Sequence, residues 1–290
     1  MKCGTNWYQM KTLQDKVAAV TGAGSGIGRS TAVLLARQGC HVALSDIDRA
    51  SVDQTADACR ALGVKVTSTR LDVADKAAVH AWADDTVAAH GRVNVIVNNA
   101  GVGLGATVES MSYEDFEWLM NINFWGVVYG TKAFLPHLKS AGEGHIVNIS
   151  SVFGIIAVPT QSAYNAAKFA VRGFTEALRT ELEIERSAVG VTCVHPGGIK
   201  TNIARSARTR VSPDWGVKDS DQVAADFEKI ARTSPDDAAK DIVGAILANR
   251  RRQLIGLDAR FIDFMQRLLP ESYQHLLIAG GRRQRDRAAK

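Results

Sequence analysis

The sequence lacks the parts from which several kinds of protein are built. Its four cysteines, Cys3, Cys40, Cys59 and Cys193, stand far apart with no C-x-x-C pair, so neither a zinc cluster nor a redox dithiol is expected. That usage suits a reducing compartment. The first twenty residues contain no continuous apolar stretch of the kind a secretory signal needs, and no apolar run is long enough to span a bilayer. Internal repeats and low-complexity segments are missing as well. These absences lead to the expectation of a cytoplasmic protein with no metal and no integral membrane segment.

An excess of one charge is also absent from the body of the chain. The formal charge is +5, but the last ten residues hold five bases and one acid, which leaves +1 for everything before them. A surface for nucleic acid would place its bases on a folded face, so no nucleic-acid partner is expected and residues 281–290 read as a solvated basic tail.

What the chain does have is core material: 46% of its 290 residues are hydrophobic and 22% charged, within the range of one large domain. After a polar arm over residues 1–15, a single domain is expected over 16–280. Short β-branched or apolar runs at Val17–Thr21, His41–Ser45, Lys65–Leu71, Val93–Asn98, His145–Ser150, Val189–His195 and Gln253–Gly256 alternate with amphipathic stretches. Helices are expected at Ile27–Gln38, Arg49–Leu62, Lys76–His90, within Tyr113–Lys139, and at Ser162–Arg186. Gly39, Gly63 and Gly91 end three of these patterns, as left-handed caps do. The pattern predicts an α/β fold: a Rossmann-like doubly wound sheet of about seven parallel strands with helices on both faces.

Two segments depart from the alternation. Residues 202–234 form a polar stretch with Pro213 and several arginines, read as a substrate lid. Arg260–Leu269 places Phe261, Phe264, Met265 and Leu268 at helical spacing. The expectation is packing on the core or on a subunit partner, with a substrate or membrane-surface role as the alternative.

The chemistry-bearing motifs fall at the ends of the predicted strands. Thr21-Gly22-Ala23-Gly24-Ser25-Gly26-Ile27-Gly28 joins the first strand to the first helix, where glycines and the helix N-terminus let backbone amides approach a pyrophosphate. Gly22, Ser25, Gly26, Ile27 and Gly28 are its candidate contacts. Asp46 closes the second strand and is placed to accept hydrogen bonds from ribose hydroxyls and to repel a 2′-phosphate, which favours NAD(H) over NADP(H). A turn or cap role is the alternative. Asp72-Val73 and Asn99-Ala100-Gly101 follow the third and fourth strands, where cofactor contacts compete with helix capping. After the sixth strand, Pro196, Gly197, Ile199 and Thr201 form a turn, with Thr201 facing a nicotinamide carboxamide. His195 beside them reads as a locally hydrogen-bonded residue rather than a base.

The most informative spacing is Ser151, twelve residues, Tyr164, three residues, Lys168. Tyr164 and Lys168 lie at i and i+4 of one predicted helix and share a face. An ammonium and a cationic nicotinamide would both favour a phenolate. Tyr164 would then exchange a proton with a substrate oxygen that Ser151 hydrogen-bonds. Asn123 would anchor a water connected to Lys168, or satisfy helix carbonyls.

Together T-G-x-x-x-G-x-G, N-N-A-G, N-x-x-G, Ser-x12-Tyr-x3-Lys and P-G occur here in the order and spacing of the short-chain dehydrogenase/reductase family, which the sequence resembles from about Lys16 to Thr201. The resemblance implies Tyr164 as acid/base, Ser151 as the residue orienting the carbonyl, Asn123 as the end of a relay, and Lys168 as an additional ligand of the nicotinamide ribose. It also implies that Asp46 marks NAD preference, that Asn99 lies along the cofactor and that Thr201 follows the turn. The implied activity is NAD-dependent interconversion of a secondary alcohol and a ketone, or a primary alcohol and an aldehyde. The implied assembly is a homodimer or homotetramer, with the C-terminal segment favouring a dimer.

A dehydratase or epimerase with bound NAD, and a non-catalytic NAD-binding protein, are the alternatives. The first usually needs a larger C-terminal substrate domain than the 89 residues after Thr201 provide. The second could dispense with the proton-transfer residues, yet all four are present. Val102, Leu104, Phe153, Ile155, Ile156 and Val158 beside the site suggest a hydrophobic small-molecule substrate. Arg205, Arg208 and Arg210 raise a second possibility, an anionic tail such as an acyl thioester carrier.

Overall fold

The computed structural model describes residues 10–210, 225 and 231–288. Seven parallel strands form the main sheet: β1 (Val17–Thr21), β2 (His41–Asp46), β3 (Val66–Arg70), β4 (Val95–Asn98), β6 (Gly144–Ile149), β7 (Val189–Pro196) and β9 (Arg252–Ile255). Their spatial order is β3-β2-β1-β4-β6-β7-β9. A second, two-stranded piece pairs β5 (Leu104–Gly105) with β8 (Arg208–Thr209). The order reverses between β1 and β4, and in such a sheet the crevice beyond the strand ends at that point is the place for a ligand.

Helices cover both faces. One layer contains α1 (Gly26–Arg37), α2 (Arg49–Arg60) and α7 (Pro235–Leu247); the other contains α3 (Lys76–His90), α5 (Gly126–Ser140) and α6 (Ser162–Ile184). Central strands β1, β4 and β6 are buried along their whole length, which explains why their sequences are mostly apolar. Two hydrophobic clusters result, one on each side of the sheet. In the second, Trp82 of α3 meets Phe134 of α5 edge-on at 5.0 Å, a geometry that contributes about 1 kcal/mol beyond area burial. Gly39, Gly63 and Gly91 all take the left-handed conformation expected of them.

Several expectations are corrected. The stretch between Tyr113 and Ser140 is two helices, α4 (Tyr113–Met120) and α5, joined by a π-helical turn at Asn121–Trp125. The end of the N-terminal arm is not solvated, because Met10 and Leu13 are buried in the first cluster. The basic tail is exposed as expected, and helix α9 (Tyr273–Ala288) runs into it. Helix α8 (Leu257–Leu268) forms as its spacing predicts, but Ala259 is its one fully buried residue. Phe261 and Phe264 are more than 60% exposed.

Of the segment read as a lid, residues 211–224 and 226–230 lie outside the described ones. Its described ends are tied down. Arg208 and Arg210 donate to Gly103 and Gly105 through their backbone amides, and Thr233 exchanges backbone hydrogen bonds with Gly198 and Lys200.

Candidate active site

The glycine-rich turn is shaped by close approach. Gly22 has φ +62°, and a Cβ there would come 2.8 Å from Ala100 Cα; one on Gly28 would overlap the Gly22 carbonyl oxygen. Only glycine lets this turn and the start of α1 sit so near the end of β4. Asn99 stitches the two together, its Nδ2 donating to the carbonyls of Thr21 at 2.9 Å and Gly22 at 3.1 Å. Thr21 Oγ1 in return accepts from the amides of Asn99 and Ala100, both at 3.0 Å. The Asn99 side chain is therefore committed to the loop.

Ser25 is the N-cap of α1 yet makes no side-chain cap, whereas Asp48, Asp75 and Ser112 cap α2, α3 and α4. The first amides of α1 thus keep their donors for an external acceptor, as a phosphate would be. Asp46 stands over the same turn, accepting from Gly24 N at 2.8 Å and from Asp48 N at 3.1 Å. Thr201 closes it from the far side, since a Cβ on Gly26 would come 3.0 Å from Thr201 Cγ2. Ile27 packs behind the turn and Ile199 is buried. Asp72 caps no helix: it accepts from Ala74 N at 2.9 Å, and Asp75 is the cap of α3. Val73 is buried against Gly126.

Beyond β6, Ser151 begins a short 3-10 turn with its Oγ accepting from Phe153 N at 3.1 Å. Tyr164 and Lys168 lie two and six residues into α6, side by side as the i, i+4 spacing requires. Lys168 Nζ is 5.5 Å from the Tyr164 ring centroid and donates to the Ile149 carbonyl at 3.0 Å. Burial lowers Lys168 to about 8. Burial also raises Tyr164 to about 12, opposed by a hydrogen bond with Ser151. The ammonium thus sits by the ring and does not by itself make a phenolate. Desolvation is the larger influence on the phenol, ahead of its hydrogen bond with Ser151.

Asn123 lies in the π-helical turn, fully buried. Its Oδ1 accepts from Val102 N and its Nδ2 donates to Val102 O, both at 2.8 Å. The side chain is consumed by that clamp, so any water it anchors must use its backbone carbonyl. Gly101 lies between the groups: a Cβ there would be 3.3 Å from Asn123 Oδ1 and 3.7 Å from Lys168 Nζ.

Pro196 ends β7, and Gly197 has no room for a side chain beside Asp258. His195 is fully buried; its Nδ1 donates to the Ser151 carbonyl at 3.0 Å, and burial brings it down to about 4. It is a support for Ser151 rather than a base.

Three positions went unnoticed in the sequence. Tyr273 of α9 is buried, and its hydroxyl accepts from Ala157 N at 3.1 Å, holding the loop between Ser151 and Tyr164. Asp258 accepts from Gly198 N at 2.6 Å. Asp115 of α4, its side chain 3% exposed, binds Arg210 Nε at 2.6 Å and Arg208 Nη1 at 3.3 Å. Arg208 also stacks on Trp118 at 3.7 Å. Each arginine thus already pairs with a carboxylate. Leu104, Ile155 and Ile156 are buried structural residues, leaving Val102, Phe153 and Val158 partly exposed near Tyr164.

The short chain dehydrogenase family model matches residues 16–212, the span that builds this site. The chain belongs to the short chain dehydrogenase family. It is 50% identical over 273 residues to the putative oxidoreductase SadH of Mycobacterium tuberculosis, covering 93% of this chain and 97% of that protein. An uncharacterized oxidoreductase, YxnA of Bacillus subtilis, is 32% identical, with 93% and 73% covered. Among solved structures, a family member from Burkholderia phymatum in complex with NAD superposes with a TM-score of 0.81 at 32% identity, covering 92% of this chain and 97% of that one. Levodione reductase gives 0.74 at 28%, with 86% and 98% covered. The chain is accordingly an oxidoreductase of this family, with the seven-stranded parallel sheet expected of it. No helix among the described residues is long and apolar enough to cross a membrane.

Proposed function

We propose that the protein is an NAD-dependent oxidoreductase that interconverts an apolar secondary alcohol and its ketone, or a primary alcohol and its aldehyde. The observation that carries this reading is the convergence of Ser151, Tyr164 and Lys168 beside a turn whose amides and Asp46 carboxylate suit a dinucleotide. Gly22, Ser25, Gly26, Ile27 and Gly28 would receive the pyrophosphate, Asp46 the adenosine ribose, Asp72 and Val73 the adenine. Ala100 and Gly101 would line the middle of the cofactor, and Pro196, Gly197, Ile199 and Thr201 its nicotinamide end. The relative from Burkholderia phymatum was solved with NAD, which supports the same class of cofactor here. When bound, the nicotinamide supplies the hydride acceptor or donor and, oxidised, a positive charge.

The residues of the chain do the rest. Ser151 holds the substrate oxygen by a hydrogen bond. Tyr164 gives its proton to that oxygen in the reducing direction and takes it back in the oxidising one. Lys168 holds the cofactor ribose and passes protons toward the backbone of Asn123. Val102, Phe153 and Val158 keep the substrate side apolar.

A screen of secondary alcohols and ketones with NAD(H) and NADP(H), followed by nicotinamide absorbance, tests the reading. Turnover with NAD(H) on apolar substrates is expected; better turnover with NADP(H), or none with either, would overturn it.

A further inference from the structure

Helix α8 lies beyond residues 16–212, the span that the family model matches. Leu257, Phe261, Phe264 and Leu268 recur at the three- and four-residue spacing of one helix face, and they are 81%, 65%, 61% and 62% exposed. The opposite side of α8 is fixed: Asp258 accepts from Gly198 N, Asp263 pairs with Arg252 at 2.7 Å, and Ala259 is buried. The stripe therefore faces outward by construction. Leu269, Leu276 and Ile278 extend exposed apolar surface into α9.

The exposed charges around the stripe are mostly basic, with Glu271 and Asp286 as exposed acids in the same stretch. Arg260 and Arg267 border it, a residue before Phe261 and Leu268, while Arg282 and Arg283 follow on α9, all exposed. Of the acids of α8, Asp258 is taken by Gly198 N, and Asp263 is shared between Arg252 and, at 3.0 Å, Arg267. Helix α8 also packs against the turn after Ser151, and Tyr273 holds Ala157, so this face adjoins the apolar side of the site.

We propose that α8, with the basic end of α9, docks the protein on an anionic lipid surface. The helix lies in the plane of the headgroups, its stripe in the acyl boundary and its arginines on the phosphates. An exposed apolar stripe flanked by bases has the composition of an interfacial helix. A second copy on the same stripe is the alternative that the test separates from a lipid surface. An apolar substrate dissolved in the bilayer would reach the site along this face.

The test uses the full chain and sedimentation with vesicles of phosphatidylglycerol and phosphatidylcholine, against vesicles of phosphatidylcholine alone. Binding to the anionic vesicles, weakened by salt, is expected. Arg282→Ala with Arg283→Ala should weaken it about 30-fold, each base near an anionic surface contributing about fivefold. Phe261→Ser with Phe264→Ser should abolish it while thermal unfolding and cofactor affinity stay unchanged, which separates docking from folding. Equal sedimentation with and without anionic lipid would overturn the proposal. So would a dimer in sedimentation velocity that the phenylalanine variant dissociates, because the stripe would then be a subunit interface.

Discussion

The ammonium of Lys168, itself buried, lies 5.5 Å from the centre of the half-buried Tyr164 ring and 3.0 Å from the Ile149 carbonyl oxygen. Two ionisable groups are thus held out of water with their charged forms disfavoured, Lys168 at about 8 and Tyr164 at about 12. Both shifts move each group toward neutrality, and each has a measurable consequence.

For Tyr164 the consequence is directional. Burial favours the neutral phenol, which can donate in reduction but accepts in oxidation only after its proton has left. With saturating cofactor, kcat/KM for alcohol oxidation should rise with pH from 6 to 9, while ketone reduction stays flat and then falls. Oxidation independent of pH over that range would contradict the assignment of Tyr164 as the base.

For Lys168 the consequence is thermodynamic. Its folded value of about 8 lies below the unfolded value of about 10.5, so between these pH values the unfolded chain binds more protons and stability rises with pH. Below pH 8 the buried ammonium costs roughly 3 kcal/mol. Lys168→Met should therefore raise the melting temperature most at pH 6–7, with the gain shrinking toward pH 10.5. Thermal unfolding at three pH values checks this; a gain that did not depend on pH would point to packing alone.

Asp46 accepts from the amide of Gly24 as well as facing the proposed ribose position. Asp46→Ala should weaken both cofactors, and NAD more than NADP, narrowing the preference roughly ten- to hundredfold, the range of a hydrogen bond to a charged group. Titration of both cofactors against wild type and variant measures the ratio.

Tyr273→Phe removes the acceptor for Ala157 and keeps the ring. Losing one hydrogen bond of about 1 kcal/mol should lower the melting temperature by about 2 °C. Because Ala157 lies between Ser151 and Tyr164, KM for bulky apolar substrates should rise several-fold with little change in kcat. A fall in kcat with KM unchanged would place Tyr273 in the chemistry instead.

The seven strands were legible because each is a short apolar run between turn residues, and the site because its motifs mark strand ends. Val66–Arg70 fell inside the broader run at Lys65–Leu71, an error of a residue at each end. What remained hidden depends on contacts distant in sequence. The π-helical turn at Asn121–Trp125 leaves no trace in periodicity; it arises where Asn123 is clamped by Val102, 21 residues away. Arg208 and Arg210 looked free because their partner Asp115 lies more than ninety residues earlier. Helix α8 was legible as amphipathic, but periodicity alone says which face is apolar, not whether anything covers it.

The most direct test is turnover by Tyr164→Phe, with cofactor affinity measured by fluorescence alongside it. The substitution removes one hydroxyl and leaves the buried ring against Phe153, whose centroid is 6.0 Å away, so the fold and NAD binding should persist. Turnover should fall about 10²–10⁴-fold, the contribution of a positioned acid or base. Lys168→Ala should lose both turnover and cofactor affinity. A Tyr164→Phe enzyme turning over at near the wild-type rate would contradict the mechanism, whatever the cofactor proved to be.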